Sequence, residues 1–120
     1  MSMAKKINSS NNIHANLLDE RCVVNTVMKI IGKRWMAEII FLIENKINRF
    51  STIKQELSGV SDQVLHTHLS LLHHYNVVEK VIHQQIPLKV EYSLTASGQA
   101  LANHLHALCV WGKVNIENMH

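Results

Sequence analysis

The stretch STIKQELSGVSDQVLHTHLSLLHHYN, residues 51–76, decides the fold because it has the pattern of two helices joined by a tight turn. Its first half carries apolar residues at a helical spacing of four, and Gly59 can adopt the left-handed backbone that ends a helix. Ser51 is the expected N-cap of the first helix, and Ser61 is the expected N-cap of the second. Two short helices connected in this way predict a helix-turn-helix.

The second helix, predicted over 61–75, separates its apolar and polar residues onto two sides. Asp62 lies in the first turn, where a negative charge suits the helix dipole, and Asn76 stands where a glycine usually ends a helix. The predicted buried side consists of Leu65, Leu69 and Leu72, widened by Val64, Leu71 and Tyr75. The opposite side carries Gln63, Thr67, Ser70 and His74, with His66 at its edge. Short hydrogen-bonding side chains on a helix fit the major groove of DNA, although a polar side that meets only water is the alternative.

Histidines are concentrated in this second helix, at positions 66, 68, 73 and 74. A helix presents two ligands to one metal ion at spacings of three or four residues, and no pair of these histidines has that spacing. A metal site on this helix is therefore not expected, although one assembled between distant segments is the alternative. No cofactor is expected either. His68, nearer the leucines, is expected to be structural, whereas His66 or His74 can donate to a phosphate or a base edge. A pH switch is a further interpretation, because histidine titrates near neutral pH.

The segments upstream predict an arm and two more helices. Residues 1–16 contain Asn, Ser and two adjacent lysines without a sustained apolar period, which is typical of a flexible arm before a domain at 17–120. Apolar spacing predicts a first helix over 22–31, stopped by Gly32, and a core helix over 33–44.

Downstream, the period changes to that of strands over 77–84 and 89–95, with a turn at Pro87. Thr95 is the expected cap of a last helix. That helix carries an apolar stripe made of Leu101, Leu105, Leu108, Cys109, Gly112 and Ile116. The order of elements predicts a mainly α fold with a small β-hairpin, an α+β winged helix-turn-helix in which the hairpin is the wing.

The wing has its own cationic and polar side chains: Lys80, His83, Gln85 and Lys89. Lysines here would attract DNA phosphates without reading sequence. Lysines also protect strand edges from pairing with other chains, and this interpretation stays open beside the first.

Composition narrows the class of protein. With 120 residues, 47% of them apolar, the chain can form one globular domain, and its net charge of +3 favours an anionic partner. No apolar stretch approaches the roughly 20 residues that span a bilayer. The two cysteines form no CxxC motif and no secretory leader pattern is evident, so a cytoplasmic protein with reduced thiols is expected. Dinucleotide, Walker, HExxH and GxSxG motifs are absent, and an enzyme is not expected.

Cys22 stands at the predicted start of the first helix, beside Arg21. A helix N-terminus and a neighbouring cation both favour the reactive thiolate, while Asp19 and Glu20 act in the opposite direction. An unreactive buried cysteine is the commoner case and remains the alternative. Cys109, within the apolar stripe, is expected in the core or at an interface.

Several short motifs, taken together, resemble the HxlR-type winged helix-turn-helix transcriptional regulators, which are related in fold to the MarR group. The motifs are CVV at 22–24, IGKRW at 31–35, RFS at 49–51, VS at 60–61 with the leucines after it, and VEYSLT at 90–95 followed by Gly98. The resemblance covers about 22–112, although the chain has His66, His68 and Ser70 where the family commonly has basic residues.

The resemblance implies a bacterial homodimer that regulates transcription by binding double-stranded DNA at a near-palindromic operator. The helix from Ser61 would enter the major groove, and the hairpin at 84–89 would lie near the minor groove or the backbone. The residues expected at the DNA are Ser61, Gln63, His66, Thr67, Ser70, His74, Lys80, His83 and Lys89. Those expected between subunits are Val23, Val27, Leu101, Leu105, Leu108, Cys109 and Ile116.

The resemblance also bears on regulation. Some family members sense electrophiles or oxidants through a cysteine at the position of Cys22, so the resemblance makes Cys22 a candidate redox sensor beside the unreactive alternative. A small-molecule or oxidant effector is a further interpretation. A winged helix that contacts proteins without binding an operator is the alternative function.

Overall fold

The computed structural model describes residues 9–117. Within these residues the elements are α1 (Ser9–Ile31), α2 (Met36–Glu44), α3 (Phe50–Glu56), α4 (Asp62–His74), β1 (Val78–His83), β2 (Lys89–Leu94) and α5 (Ala96–Asn115). The chain divides after Arg34 into two compact units, the first containing α1 and the second containing all the later elements. This is the α+β winged helix-turn-helix that the sequence predicts. No helix in the described part of the chain is long and apolar enough to cross a membrane.

The first unit differs from the sequence prediction in where its helix begins. α1 starts at Ser9, so the expected flexible arm does not extend over 9–16, and residues 1–8 lie outside the described part. Asn and Ser compete for backbone hydrogen bonds and weaken helical propensity, which is why this segment has no clear helical pattern. Cys22 consequently lies inside the helix, and the argument that a helix N-terminus activates its thiol is wrong.

The second unit is built around α2, whose Met36, Ile39 and Ile40 are fully buried. This confirms a core helix, but it begins at Met36 rather than at position 33. Trp35 precedes it with a φ of 77°, in the left-handed region that bulky side chains rarely adopt. Because the apolar Trp35 fits the helical spacing although its backbone is not helical, the spacing alone predicts a start that is too early.

The helix-turn-helix lies at the expected place with one correction at its start. Arg49, rather than Ser51, is the N-cap of α3, and its N–H donates to the Thr52 hydroxyl oxygen at 3.3 Å. Gly59 has a φ of 95°, which confirms the left-handed turn. The Ser61 hydroxyl accepts from the Val64 N–H at 3.1 Å, which confirms the cap of α4.

The hairpin pairs β1 and β2 antiparallel, with Val78 opposite Leu94 and His83 opposite Lys89. Asn48, in the link before α3, joins the outer side of β2: its side-chain amide donates to the Tyr92 carbonyl, and the Tyr92 N–H donates to the Asn48 carbonyl, both at 2.9 Å. Burial raises the pKa of the Tyr92 phenol. The wing is thereby attached to the link that leads into the helix-turn-helix.

The start of α5 is held against the corner that follows α4. The Thr95 hydroxyl donates to the Asn76 carbonyl at 2.6 Å and accepts from the Gly98 N–H at 2.9 Å, which confirms Thr95 as the cap. Asn76 has a φ of 60°, which confirms the left-handed end of α4.

Further along α5, polar side chains join this helix to α2. Gln99 Nε2 donates to Glu44 Oε2, and His106 Nε2 donates to Glu44 Oε1, both at 2.7 Å. These two hydrogen bonds hold the pKa of Glu44 below its ordinary value, and the bond from Gln99 has the larger effect. Desolvation of the carboxylate acts in the opposite direction. The His106 ring also stacks on Phe41, with ring centroids 4.6 Å apart.

Candidate nucleic-acid interface

The buried side of α4 is the one that the leucine spacing predicts. Leu65, Leu69 and Leu72 are 0%, 1% and 0% exposed, and His68 is buried with them, which confirms its structural position. Val64 and Tyr75 are exposed, so the buried side is narrower than predicted. The apolar core therefore holds α4 by one narrow side and leaves the rest of its surface accessible.

The accessible surface of α4 carries the polar side chains that the sequence proposes for DNA. Gln63, His66, Thr67, Ser70 and His74 are all exposed. We call these five residues the α4 polar face. The face offers amide, hydroxyl and imidazole groups, which donate and accept hydrogen bonds as base edges and phosphates require.

The turn between α3 and α4 is braced by Lys54, a contact that the sequence prediction did not include. Its Nζ donates to the Val60 carbonyl at 2.8 Å and lies 3.0 Å from Asp62 Oδ1. Both charged side chains are substantially exposed, so the ion pair stabilises the fold by only about 0.2–1 kcal/mol. Its consequence is geometric, because it joins α3 to the first turn of α4.

A second unpredicted contact joins α3 to α4 through two rings. Phe50 begins α3, and its ring stacks on the His66 imidazole with centroids 4.2 Å apart and an interplanar angle of 26°. His66 remains exposed, whereas Phe50 is half-buried. The positions are far apart in sequence, so no local pattern indicates the pair.

The wing meets the helix at Lys80. A small depression between α4 and the hairpin is lined by Leu69, Ser70, His73, Lys80 and Tyr92. Ser70 of the α4 polar face and Lys80 of β1 therefore share one surface, with Lys80 exposed. This arrangement places a cation beside the polar face.

Two of the other three predicted wing residues, His83 and Lys89, lie beside a carboxylate, and Gln85 is exposed between the strands. His83 Nε2 donates to Glu91 Oε1 at 2.7 Å, and Lys89 Nζ lies 3.9 Å from Glu91 Oε2. Glu91 thus offsets part of the positive charge at this end of the hairpin. The tip beyond them exposes two apolar side chains after the glutamines, with Ile86 101% exposed and Leu88 also exposed.

The residues predicted between subunits divide into two groups. Val23, Val27, Leu108, Cys109 and Ile116 are exposed. Leu101 is half-buried, and Leu105 is only 6% exposed, so Leu105 lies in the core of the chain itself. Among the described residues, no group of three or more His, Cys, Asp or Glu side chains is placed to hold a metal ion.

A helix-turn-helix with an exposed polar second helix and an adjoining hairpin defines a winged helix-turn-helix protein. The chain belongs to the HxlR-like helix-turn-helix family, whose model matches residues 30–120. It is 39% identical over 82 residues to the HTH-type transcriptional regulator YvaP of Bacillus subtilis, an alignment that covers 68% of this chain and 76% of that protein.

Solved structures of transcriptional regulators have a similar fold. The reduced form of the transcriptional regulator YodB from B. subtilis matches with a TM-score of 0.71 and 27% identity, covering 78% of this chain and 92% of that one. The redox regulator HypR in its reduced form matches with a TM-score of 0.72 and 25% identity, covering 80% of this chain and 95% of that one. The relatives are thus transcriptional regulators with the same fold.

Proposed function

We propose that this protein is a transcriptional regulator that binds a specific DNA operator through the α4 polar face. The observation that carries the proposal is the arrangement of α4, whose leucine side is buried while its polar side is exposed and adjoins Lys80. A helix of this kind enters the major groove, where side chains near its N-terminus contact base edges.

Roles within the interface follow from side-chain chemistry. Gln63 and Thr67 read bases, because Gln pairs with adenine and Thr contacts a thymine methyl. Ser61, Ser70 and His74 donate to phosphates or base edges. On the wing, Lys80, His83 and Lys89 attract the phosphate backbone, with Lys80 the strongest contributor because Glu91 lies beside the other two.

Dimerisation is the second part of the proposal. The C-terminal half of α5 exposes large apolar side chains, among them Leu108 and Trp111, and Ile116 is exposed directly after the helix. On α1, Val23 and Val27 are exposed. Large apolar side chains left exposed along a helix mark an association site. Two copies related by a two-fold axis would address half-sites about 34 Å apart, so the operator is a near-palindrome.

The dimer is tested by sedimentation of Leu108→Glu. This variant should sediment as a monomer, because a charge in an apolar interface is costly. Ala107→Glu is the matched control, since Ala107 is exposed on the same helix but lies outside the predicted stripe, and it should remain a dimer. A wild-type protein that sediments as a monomer, or equal behaviour of the two variants, contradicts this interface.

Redox response through Cys22 is the third part. The thiol is exposed on α1, and HypR, one of the structural relatives, is described as a redox regulator. Oxidation of Cys22 by hydrogen peroxide should change operator affinity in the wild type and in Cys109→Ser, but not in Cys22→Ser. Equal responses of all three proteins remove Cys22 from the mechanism.

Operator binding itself is tested by selection from a library of randomised DNA duplexes with the full chain. We expect enrichment of an inverted repeat whose half-site centres are about one helical turn apart. A library that enriches no sequence contradicts operator binding and favours the alternative, a winged helix used for protein contacts.

A further inference from the structure

We infer that His66 determines base specificity in the operator and that Phe50 is its positioning residue. The inference deepens the proposed function and rests on it. It assigns to α3, the helix that precedes α4, a part in sequence reading, although α3 itself need not touch the bases.

The geometry of the pair supports this assignment. The two rings are nearly parallel, with an interplanar angle of 26° and centroids 4.2 Å apart, so one face of the imidazole is covered by Phe50. The nitrogen atoms of an imidazole lie in the plane of its ring, and their hydrogen bonds leave from its edge. Covering a face therefore leaves the donor and acceptor positions of the exposed His66 available.

A fixed ring reads bases better than a rotating one. An exposed side chain loses rotational freedom when it binds, and a ring that is already held loses less. Stacking restricts the rotation of His66 before DNA arrives. A donor with a fixed direction also discriminates between bases, because the acceptors of the four base pairs lie at different places in the major groove.

The place of His66 on the helix fits this role. It lies one turn after Gln63 and next to Thr67, at the edge of the α4 polar face. Guanine offers two acceptors, N7 and O6, at its major-groove edge, which suits an imidazole N–H donor. We therefore expect a preference for guanine at one base pair in each half-site.

A purely structural stack is the competing account, in which the two rings only pack α3 against α4. Stability would then fall when either ring is removed, and binding to all DNA sequences would weaken alike. The two accounts differ in base preference, which packing alone does not change.

The test uses duplexes enriched by the wild-type chain, each position then substituted singly. The wild type should prefer one base at this base pair by roughly tenfold in affinity, and His66→Ala and Phe50→Leu should each remove that preference. The double variant should show no further change. Phe50→Tyr keeps an aromatic ring and should retain the base preference that Phe50→Leu loses. Phe41→Leu is the matched control, because it removes the other Phe–His stack, between α2 and α5, and should leave base preference unchanged.

The outcomes separate clearly. If His66→Ala leaves the base preference unchanged at every base pair, this inference is overturned and the proposed function stands. If Phe50→Leu lowers the affinity for all duplexes equally, the positioning role of Phe50 is overturned. The same conclusion follows if Phe50→Tyr behaves like Phe50→Leu. A library from which the wild type enriches no sequence overturns the proposed function and this inference together.

Discussion

Gly98 lies so close to Val77 that a Cβ atom built on it would stand 2.0 Å from the Val77 carbonyl oxygen. The Thr95 N–H donates to the same carbonyl at 3.0 Å. The first turn of α5 is therefore in direct contact with the corner that follows α4. This contact gives a physical reason for the glycine that follows VEYSLT, because only a residue without a side chain fits there.

Gly98→Ala should destabilise the protein by about 1–3 kcal/mol, because the added methyl group forces backbone to move. Gly112→Ala is the matched control in the same helix, since a Cβ there meets nothing within 4 Å among the described residues apart from its chain neighbours and its own helix backbone. The control should be neutral or more stable by about 0.5–1 kcal/mol. Urea unfolding measures both free energies, and equal values for the two variants would show that the corner is not tightly packed.

Thr95→Val should destabilise the protein by about 0.5–2 kcal/mol, because it removes the cap of α5 and the hydrogen bond to the Asn76 carbonyl. Thr95→Ser keeps the hydroxyl and should recover most of this loss. Thermal unfolding of the two variants makes the comparison. If Thr95→Val and Thr95→Ser unfold at the same temperature, the hydroxyl cap does not contribute to stability.

Glu44→Gln should reduce stability at neutral pH and lose this effect in acid. Hydrogen bonds from Gln99 and His106 hold the pKa of Glu44 below 4.5, so the folded state binds the proton less tightly than the unfolded state. The stabilisation by the carboxylate is thus fully present above pH 4.5 and is lost as pH falls through the lower folded pKa.

Unfolding by urea over a pH series measures this difference between wild type and Glu44→Gln. Gln99→Leu, which removes the first of the two donors, should show part of the same pH dependence. A wild-type advantage that is constant down to strongly acidic pH would mean that the α2–α5 hydrogen bonds do not depend on the ionised carboxylate.

Substitutions in the interface should divide into two kinds. Gln63→Ala or Thr67→Ala should relax base preference by about 1–3 kcal/mol for each lost contact. Lys80→Ala should weaken binding to all sequences and reduce the slope of log K against log salt by about 0.9, while Lys80→Arg keeps the charge and the slope. Fluorescence anisotropy with enriched and random duplexes separates the two effects. A sequence-dependent loss for Lys80→Ala would assign that lysine a different role.

Local features of this fold are readable from the sequence because their causes are local. The Ser61 and Thr95 caps are bonds between a side chain and the backbone three residues on, and the leucines of α4 follow the helical period. The left-handed residues Gly59 and Asn76 are those that tolerate such a backbone best. These features were enough to predict the winged helix-turn-helix.

Contacts between distant positions were not predictable in the same way. The stack of Phe50 on His66, the pairing of Lys54 with Asp62 and the bond from His106 to Glu44 all depend on how helices are placed in space. Trp35 shows the same limit for a boundary, because its left-handed backbone interrupts an apolar pattern that continues without a break. Side-chain spacing shows which face is buried, and it does not show which residue of another helix covers it.

Binding of a specific operator by the α4 polar face predicts a salt-dependent affinity that differs between DNA sequences. The affinity of the full chain for the enriched duplex and for a random duplex of equal length is measured at about 50 and 200 mM salt. Both affinities should fall with salt, while the enriched duplex should bind at least about a thousandfold more tightly than the random one. Equal affinities for the two duplexes at both salt concentrations would contradict specific operator binding.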